Sequence, residues 1–107
     1  MVNLFLDFLG DNPTTRLLEF LITGREFDYS LTDMAKNAGI GWSTIHRILP
    51  RLIKQKIVVE TREIGRAKLF KLNQKNEEVK KLIELYDGLL AKQLEQIKEK
   101  NLLVAAK

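Results

Sequence analysis

A mostly helical fold with one small β-hairpin and a long C-terminal helix is what this sequence predicts, on three observations. First, the stretch Gly41–Lys54, GWSTIHRILPRLIK, is two-faced at helical period. Ile45, Ile48, Leu49, Leu52 and Ile53 fall at i, i+3, i+4, i+7 and i+8, while Trp42, Ser43, His46, Arg47, Pro50, Arg51 and Lys54 fall opposite. Second, the period changes just beyond it. The β-branched run Ile57-Val58-Val59-Glu60-Thr61-Arg62 reads as a strand, Gly65-Arg66-Ala67 as a turn, and Lys68-Leu69-Phe70-Lys71-Leu72 as the returning strand. Third, from about Lys75 to Val104 a helical pattern runs with Gly88 as its one glycine and with no proline.

The elements before the two-faced stretch follow from their end signals. Val2–Leu9 is apolar at Leu4, Phe5, Phe8 and Leu9 and predicts a short helix ending at Gly10. Asn12-Pro13 opens the next one, with asparagine able to cap and proline suited to the first helical position. Leu17, Leu18, Leu21 and Ile22 give that helix a core face, and it ends near Thr23-Gly24. Asp28-Tyr29-Ser30 reads as a short extended piece. Ser30-Leu31-Thr32-Asp33 matches a capping box with Asp in the Glu/Gln place, and opens a helix through Ala38 that Gly39 stops. A short helix, a glycine-containing turn and a longer basic helix make a helix-turn-helix. Pro50 removes one intrahelical bond and predicts a kink on the exposed side, because the apolar spacing continues beyond it to Leu52 and Ile53.

Composition bounds the rest. The 107 residues suit one domain with an appendage, divided here as residues 1–73 and 74–107. With 45% apolar and 30% charged residues, and no apolar run near the ~20 needed to span a bilayer, a membrane protein is not expected. The opening MVNLFLDFLG contains Asp7 and lacks a basic leader and a small-residue cleavage site, so it reads as part of the fold. No cysteine is present, which removes disulfides, zinc-thiolate sites and redox switches and fits a cytoplasmic location. His46 is the single histidine, no glycine-rich phosphate loop occurs, and no nucleophile–base constellation stands out. Neither an enzyme, a metal site nor a bound cofactor is expected.

Charge is distributed unevenly. Residues 1–35 carry net −4, residues 36–72 net +7 and residues 73–107 net +1. A basic middle block in a near-neutral chain is the electrostatic footprint of a nucleic-acid binder. The polar face of Gly41–Lys54 is basic, contains no carboxylate and has hydrogen-bonding groups near its start, which suits the DNA major groove.

The segments FLGDNPTTRLLEFL, SLTDMAKNAGIGWSTIHRILPRLIKQKIV and GRAKLFKLN together resemble a winged-helix DNA-binding domain of the broad MarR/ArsR-like type found in archaeal and bacterial transcription regulators. The resemblance covers roughly residues 4–73. One departure is Lys56, where such proteins often have glycine before the first wing strand. Another is the lack of cysteine and histidine clusters, so metal sensing is not implied.

The resemblance implies roles by residue. Ser43, Thr44, His46 and Arg47 would reach base edges, with Arg47 suited to guanine O6 and N7 and His46 a neutral hydrogen-bonding group. Arg51, Lys54 and Lys36 would reach phosphates. Arg66, flanked by Arg62 and Lys68 at a basic hairpin tip, would lie along the minor groove. Trp42 has two readings: contact with a sugar or thymine methyl, or a structural cover for the turn.

The last helix has Val79, Leu82, Ile83, Tyr86, Leu89, Leu90, Leu94 and Ile97 on one broad side. It is longer than the preceding domain can cover. Its own copy is the expected partner, with Val79, Ile83, Tyr86, Leu90, Leu94 and Ile97 at the dimer interface. The competing reading folds the helix back on its own domain. On the dimer reading, a chain cut near Lys75 should fold as a monomer. The expected function is therefore a homodimeric, sequence-specific double-stranded-DNA-binding transcription regulator, a repressor by promoter occupancy. The alternatives are an architectural or partition-type DNA-binding adaptor and a winged-helix protein-interaction module. No short motif points to a small-molecule effector.

Overall fold

The helix-turn-helix forms where capping chemistry puts it. In the structure, a computed structural model that describes residues 3–105, with side chains over residues 3–100, the elements run α1 (Leu4–Leu9), α2 (Pro13–Thr23), α3 (Leu31–Ala38), α4 (Trp42–Lys54), β1 (Val58–Ile64), β2 (Ala67–Leu72) and α5 (Glu77–Ala105). Val2, expected at the first helix start, lies outside the described residues, as do Ala106 and Lys107. Asn3 and Asn12 cap α1 and α2 by accepting from the Leu6 and Thr15 backbone N–H groups at 3.0 and 2.9 Å. At α3 the capping box is reciprocal: Asp33 N–H donates to Ser30 Oγ and Ser30 N–H to Asp33 Oδ2. Gly39 follows in the left-handed region at φ 68°, so the chain turns sharply into α4.

α4 runs through Pro50 without a break, with Pro50 exposed on its outer side. Ile45, Ile48, Leu49 and Leu52 are buried against Leu17, Leu21 and Ile22 of α2 and Met34 of α3 in one core. Ile53 departs from expectation and is exposed. Eight residues at 100° each leave it about 80° around the helix from Ile45, off the buried stripe.

The passage out of α4 explains the unusual Lys56. Ile57 N–H donates to Leu52 O at 2.9 Å and Lys56 N–H to Ile53 O at 3.0 Å, the paired bonds of a Schellman ending. Its pivot is Lys56 at φ 60°, the one non-glycine at positive φ among the described residues. An L-residue held there is strained by about 1–2 kcal/mol. Lys56→Gly is therefore expected to raise the unfolding free energy by roughly 0.5–1 kcal/mol, after glycine's greater freedom in the unfolded chain is subtracted. Urea denaturation checks this, and a lower midpoint in the variant would contradict it.

The hairpin is antiparallel, with Val58 opposite Leu72 and Ile64 opposite Ala67 around a Gly65-Arg66 turn. A bulge at Thr61 shifts the register between Glu60 and Arg62. Tyr29, in the expected extended piece, bridges Phe70 with backbone bonds of 2.7 and 2.8 Å and ties the α2–α3 connection to β2.

α5 divides into two parts. Val79 is 1% exposed and belongs to the protomer's own core. Ile83 and Tyr86 are half-buried against it, Tyr86 lying edge-on to Phe5 at 5.4 Å and sharing a 2.8 Å hydrogen bond with Thr23. Arg25 donates from Nη1 and Nη2 to the two carboxylate oxygens of Asp87, and Gln93 Oε1 accepts from Leu4 N–H. Val79 is thus sealed inside the protomer's own core and not free for the dimer contact expected of it, while Ile83 and Tyr86 pack on that core and keep part of their surface exposed; folding back accounts for the near half of the helix. Beyond it, Leu90, Leu94 and Ile97 are exposed. α5, which begins at Glu77, thus shares one core with the elements before residue 73.

Candidate nucleic-acid interface

α4 presents one continuous polar face because its apolar stripe is occupied by the core. Trp42, Ser43, His46, Arg47, Arg51 and Lys54 are all exposed, whereas Thr44 is half-buried. Thr44 leans toward the turn, its Oγ1 lying 3.8 Å from where a Cβ on Gly41 would stand, so it is less available to a partner than its neighbours. No carboxylate interrupts the helix, and Arg51 and Lys54 in the last turn complement its dipole. Lys36 is exposed in the last turn of α3. Among the described residues, Lys36, Arg47, Arg51, Lys54 and Arg66 form no ion pair, so their charge is available to an anionic partner.

Trp42 stands at the first position of α4. It is 55% exposed and meets the His46 ring edge-on at 4.6 Å, one helical turn on. Across from it stands the hairpin turn. Trp42, Ser30, Leu31 and Thr32 on one side and Arg66, Ala67, Lys68 and Phe70 on the other line an open groove of about 300 Å³. The fold thus brings the start of α4, the start of α3 and the wing together around a single cleft.

The other two expected wing cations differ from Arg66. Arg62 is not at the tip: it lies opposite Leu69, and its Nε and Nη2 donate to Asp28 Oδ2 and Oδ1 at 3.0 and 3.2 Å. Lys68 Nζ stands 4.0 Å from Glu60 Oε1, an exposed and weak pairing. The basic tip expected from three residues is in fact Arg66 with Lys68 beside it.

Sequence reasoning missed Asp28 and Thr61. Thr61 Oγ1 donates to Asp28 Oδ2 at 2.6 Å, and the Arg62 guanidinium, followed by this hydroxyl, holds the Asp28 carboxyl down at about 2. The partners are 33 and 34 residues apart, and nothing local announces the pairing. A carboxylate depressed in this way contributes stability that is present above its ordinary value near 3.8 and is lost as pH falls through about 2. The contact is therefore constant across neutral pH.

Among the described residues, no three of His, Cys, Asp or Glu gather to hold a metal ion, and no helix is long and apolar enough to cross a membrane. No protein-family model matches the chain, and no curated protein matches it in sequence. Solved structures do match. The chain is similar to MepR, a transcription regulator of the Staphylococcus aureus multidrug efflux pump MepA, at 19% identity over 94% of this chain and 76% of that one, with a TM-score of 0.65. NadR in complex with 4-hydroxyphenylacetate is similar at 22% identity over 95% and 74%, with a TM-score of 0.63. So is the homodimeric winged helix-turn-helix DNA-binding domain of a possible ArsR-family transcriptional regulator from Mycobacterium bovis, at 20% identity over 84% and 78%, with a TM-score of 0.57. Two helices joined by a tight turn, a hairpin folded beside the second and a long helix closing the core are, with these neighbours, the winged-helix fold.

Proposed function

We propose that this chain is a sequence-specific double-stranded-DNA-binding transcription regulator, not an enzyme, that acts in the cytoplasm as a homodimer on an inverted repeat and represses by occupying a promoter. One observation supports it above the others: the basic face of α4, free of ion pairs among the described residues, stands beside a groove whose far wall ends in Arg66. A major groove roughly 12 Å wide admits a helix. With α4 in it, Ser43, His46 and Arg47 face base edges, Arg51, Lys54 and Lys36 face phosphates, and Arg66 reaches the adjacent minor groove.

The distal part of α5 supports a dimer. Leu94 and Ile97 are 56% and 43% exposed on a helix that outruns its own domain, with Leu90 leading into them. A second copy covers such a stripe at least cost, and the Mycobacterium bovis neighbour is itself homodimeric. Two-fold symmetry then sets the two recognition helices about 34 Å apart.

The test is selection of bound fragments from genomic DNA, followed by gel shift against random duplex at two salt concentrations. Strong preference for a few sites carrying an inverted repeat is expected, with a log–log salt slope on the order of −7 to −9 for eight to ten neutralised phosphates. Uniform, salt-sensitive coating would replace this reading with an architectural role. No binding to any duplex would replace it with a protein-interaction module.

A further inference from the structure

The hairpin is held at the middle of its ladder by three contacts that converge on the α2–α3 connection. Tyr29 pairs with Phe70 through two backbone bonds, and next to it the Asp28 carboxylate receives Thr61 and Arg62 together. In a regular strand, adjacent residues point to opposite faces, so one carboxylate cannot take both. The bulge at Thr61 removes that alternation, and both side chains reach Asp28. The Asp28 side chain is only 17% exposed although it is charged, whereas Arg62 is 62% exposed. The carboxylate is the more covered partner of the pair. The groove between Trp42 and Arg66 is lined by Ser30, two residues along from Asp28, and by Phe70, the backbone partner of Tyr29.

We infer that Asp28 is a positioning residue for the wing: through Thr61 and Arg62 it fixes the hairpin over the start of α4, and Arg62 serves this clamp instead of a DNA phosphate. The inference rests on the DNA-binding reading above and names the device that sets the distance between the α4 face and Arg66. That distance decides whether one duplex can fill the major groove with α4 and the minor groove with Arg66 at once. A guanidinium engaged by both oxygens of a carboxylate has its fork occupied, and a phosphate would have to displace Asp28 to use it.

The two roles for Arg62 predict opposite signs. If Arg62 were a phosphate ligand, Asp28→Asn would free it and remove a nearby negative charge, and binding would tighten. Arg62→Gln would then make the salt slope shallower by about one. If the clamp positions the wing, Asp28→Asn and Arg62→Gln each weaken binding, by about tenfold on the scale of a charged hydrogen bond. The double variant is no weaker than either single one, and the salt slope stays unchanged in Arg62→Gln.

The experiment measures the affinity of the full chain and these three variants for a duplex recovered by genomic selection, at several salt concentrations. Amide hydrogen exchange of the β1–β2 ladder without DNA is followed in parallel. Faster exchange in both single variants, with equal and non-additive losses of affinity, is the expected result. Tighter binding by Asp28→Asn, or a shallower slope for Arg62→Gln, would overturn the inference, as would unchanged exchange in both. Failure of the unaltered chain to bind any duplex would overturn the functional reading instead, while the exchange arm would still decide whether the clamp holds the hairpin.

Discussion

A chain ended after Asn73 is expected to lose cooperative unfolding, and one ended after Gln93 to keep it. The first cut removes Val79 from the core together with Leu82, Ile83 and Tyr86 packed around it. Fully burying one such side chain stabilises by ~1.5–3 kcal/mol, so a buried valine and three half-buried neighbours add up to roughly 5 kcal/mol. That is the size of a small domain's whole stability, about 5–15 kcal/mol. Phe5 also loses its edge-on ring partner, and Thr23 and Arg25 lose Tyr86 and Asp87. The second cut leaves all of these in place, including the bond from Leu4 N–H to Gln93, and deletes Leu94 and Ile97. That chain should fold, sediment as a monomer and bind duplex weakly. Thermal unfolding followed by circular dichroism reads the first effect, and sedimentation reads the second. A sharp transition in the chain ended after Asn73 would mean that α5 contributes little to the core. A dimer in the chain ended after Gln93 would place the subunit contact elsewhere, with exposed Phe8 and Leu9 of α1 the next surface to test.

Arg47→Ala and Lys54→Ala should differ in kind. Arg47 is exposed in the second turn of α4, forms no ion pair among the described residues and has a planar fork that fits guanine O6 and N7 together. Its loss should cost about 1–3 kcal/mol on the preferred site and little on random duplex, narrowing the ratio between them. Lys54 ends the helix, where an ammonium reaches a phosphate as a point charge. Its loss should weaken every sequence alike and make the salt slope shallower by about one. Equal effects of Arg47→Ala on all duplexes would remove Arg47 from base reading. Both variants should keep the parent unfolding free energy within about 0.5 kcal/mol, because both side chains are exposed.

Much of the fold is legible in the chain because its signals are local. Asn12-Pro13, the Ser30/Asp33 box and Gly39 act on backbone groups within four residues, and each acts in the structure where spacing predicts. The two faces of α4 are likewise a matter of period, and they hold except at Ile53, where the stripe has rotated away from the core. What escapes local reading is pairing between distant residues. Thr61 and Arg62 look like two ordinary members of a β-branched run, and only the bulge joins them on one carboxylate. Lys56 carries no sign of its positive φ except that a glycine would be easier there.

The amino-acid order alone therefore determined which segments are helix and which are strand, and that the outward face of α4 is cationic, since caps, turns and period depend on near neighbours. Only the tertiary structure decided which cations remain available and which apolar side chains remain uncovered. Arg62 is engaged by Asp28 while Arg47, Arg51 and Arg66 are not. Val79 is sealed in the core while Leu94, fifteen positions further along the same stripe, is bare. Both outcomes depend on where segments far apart in the chain come to lie in space, and neither charge type nor hydropathy carries that information.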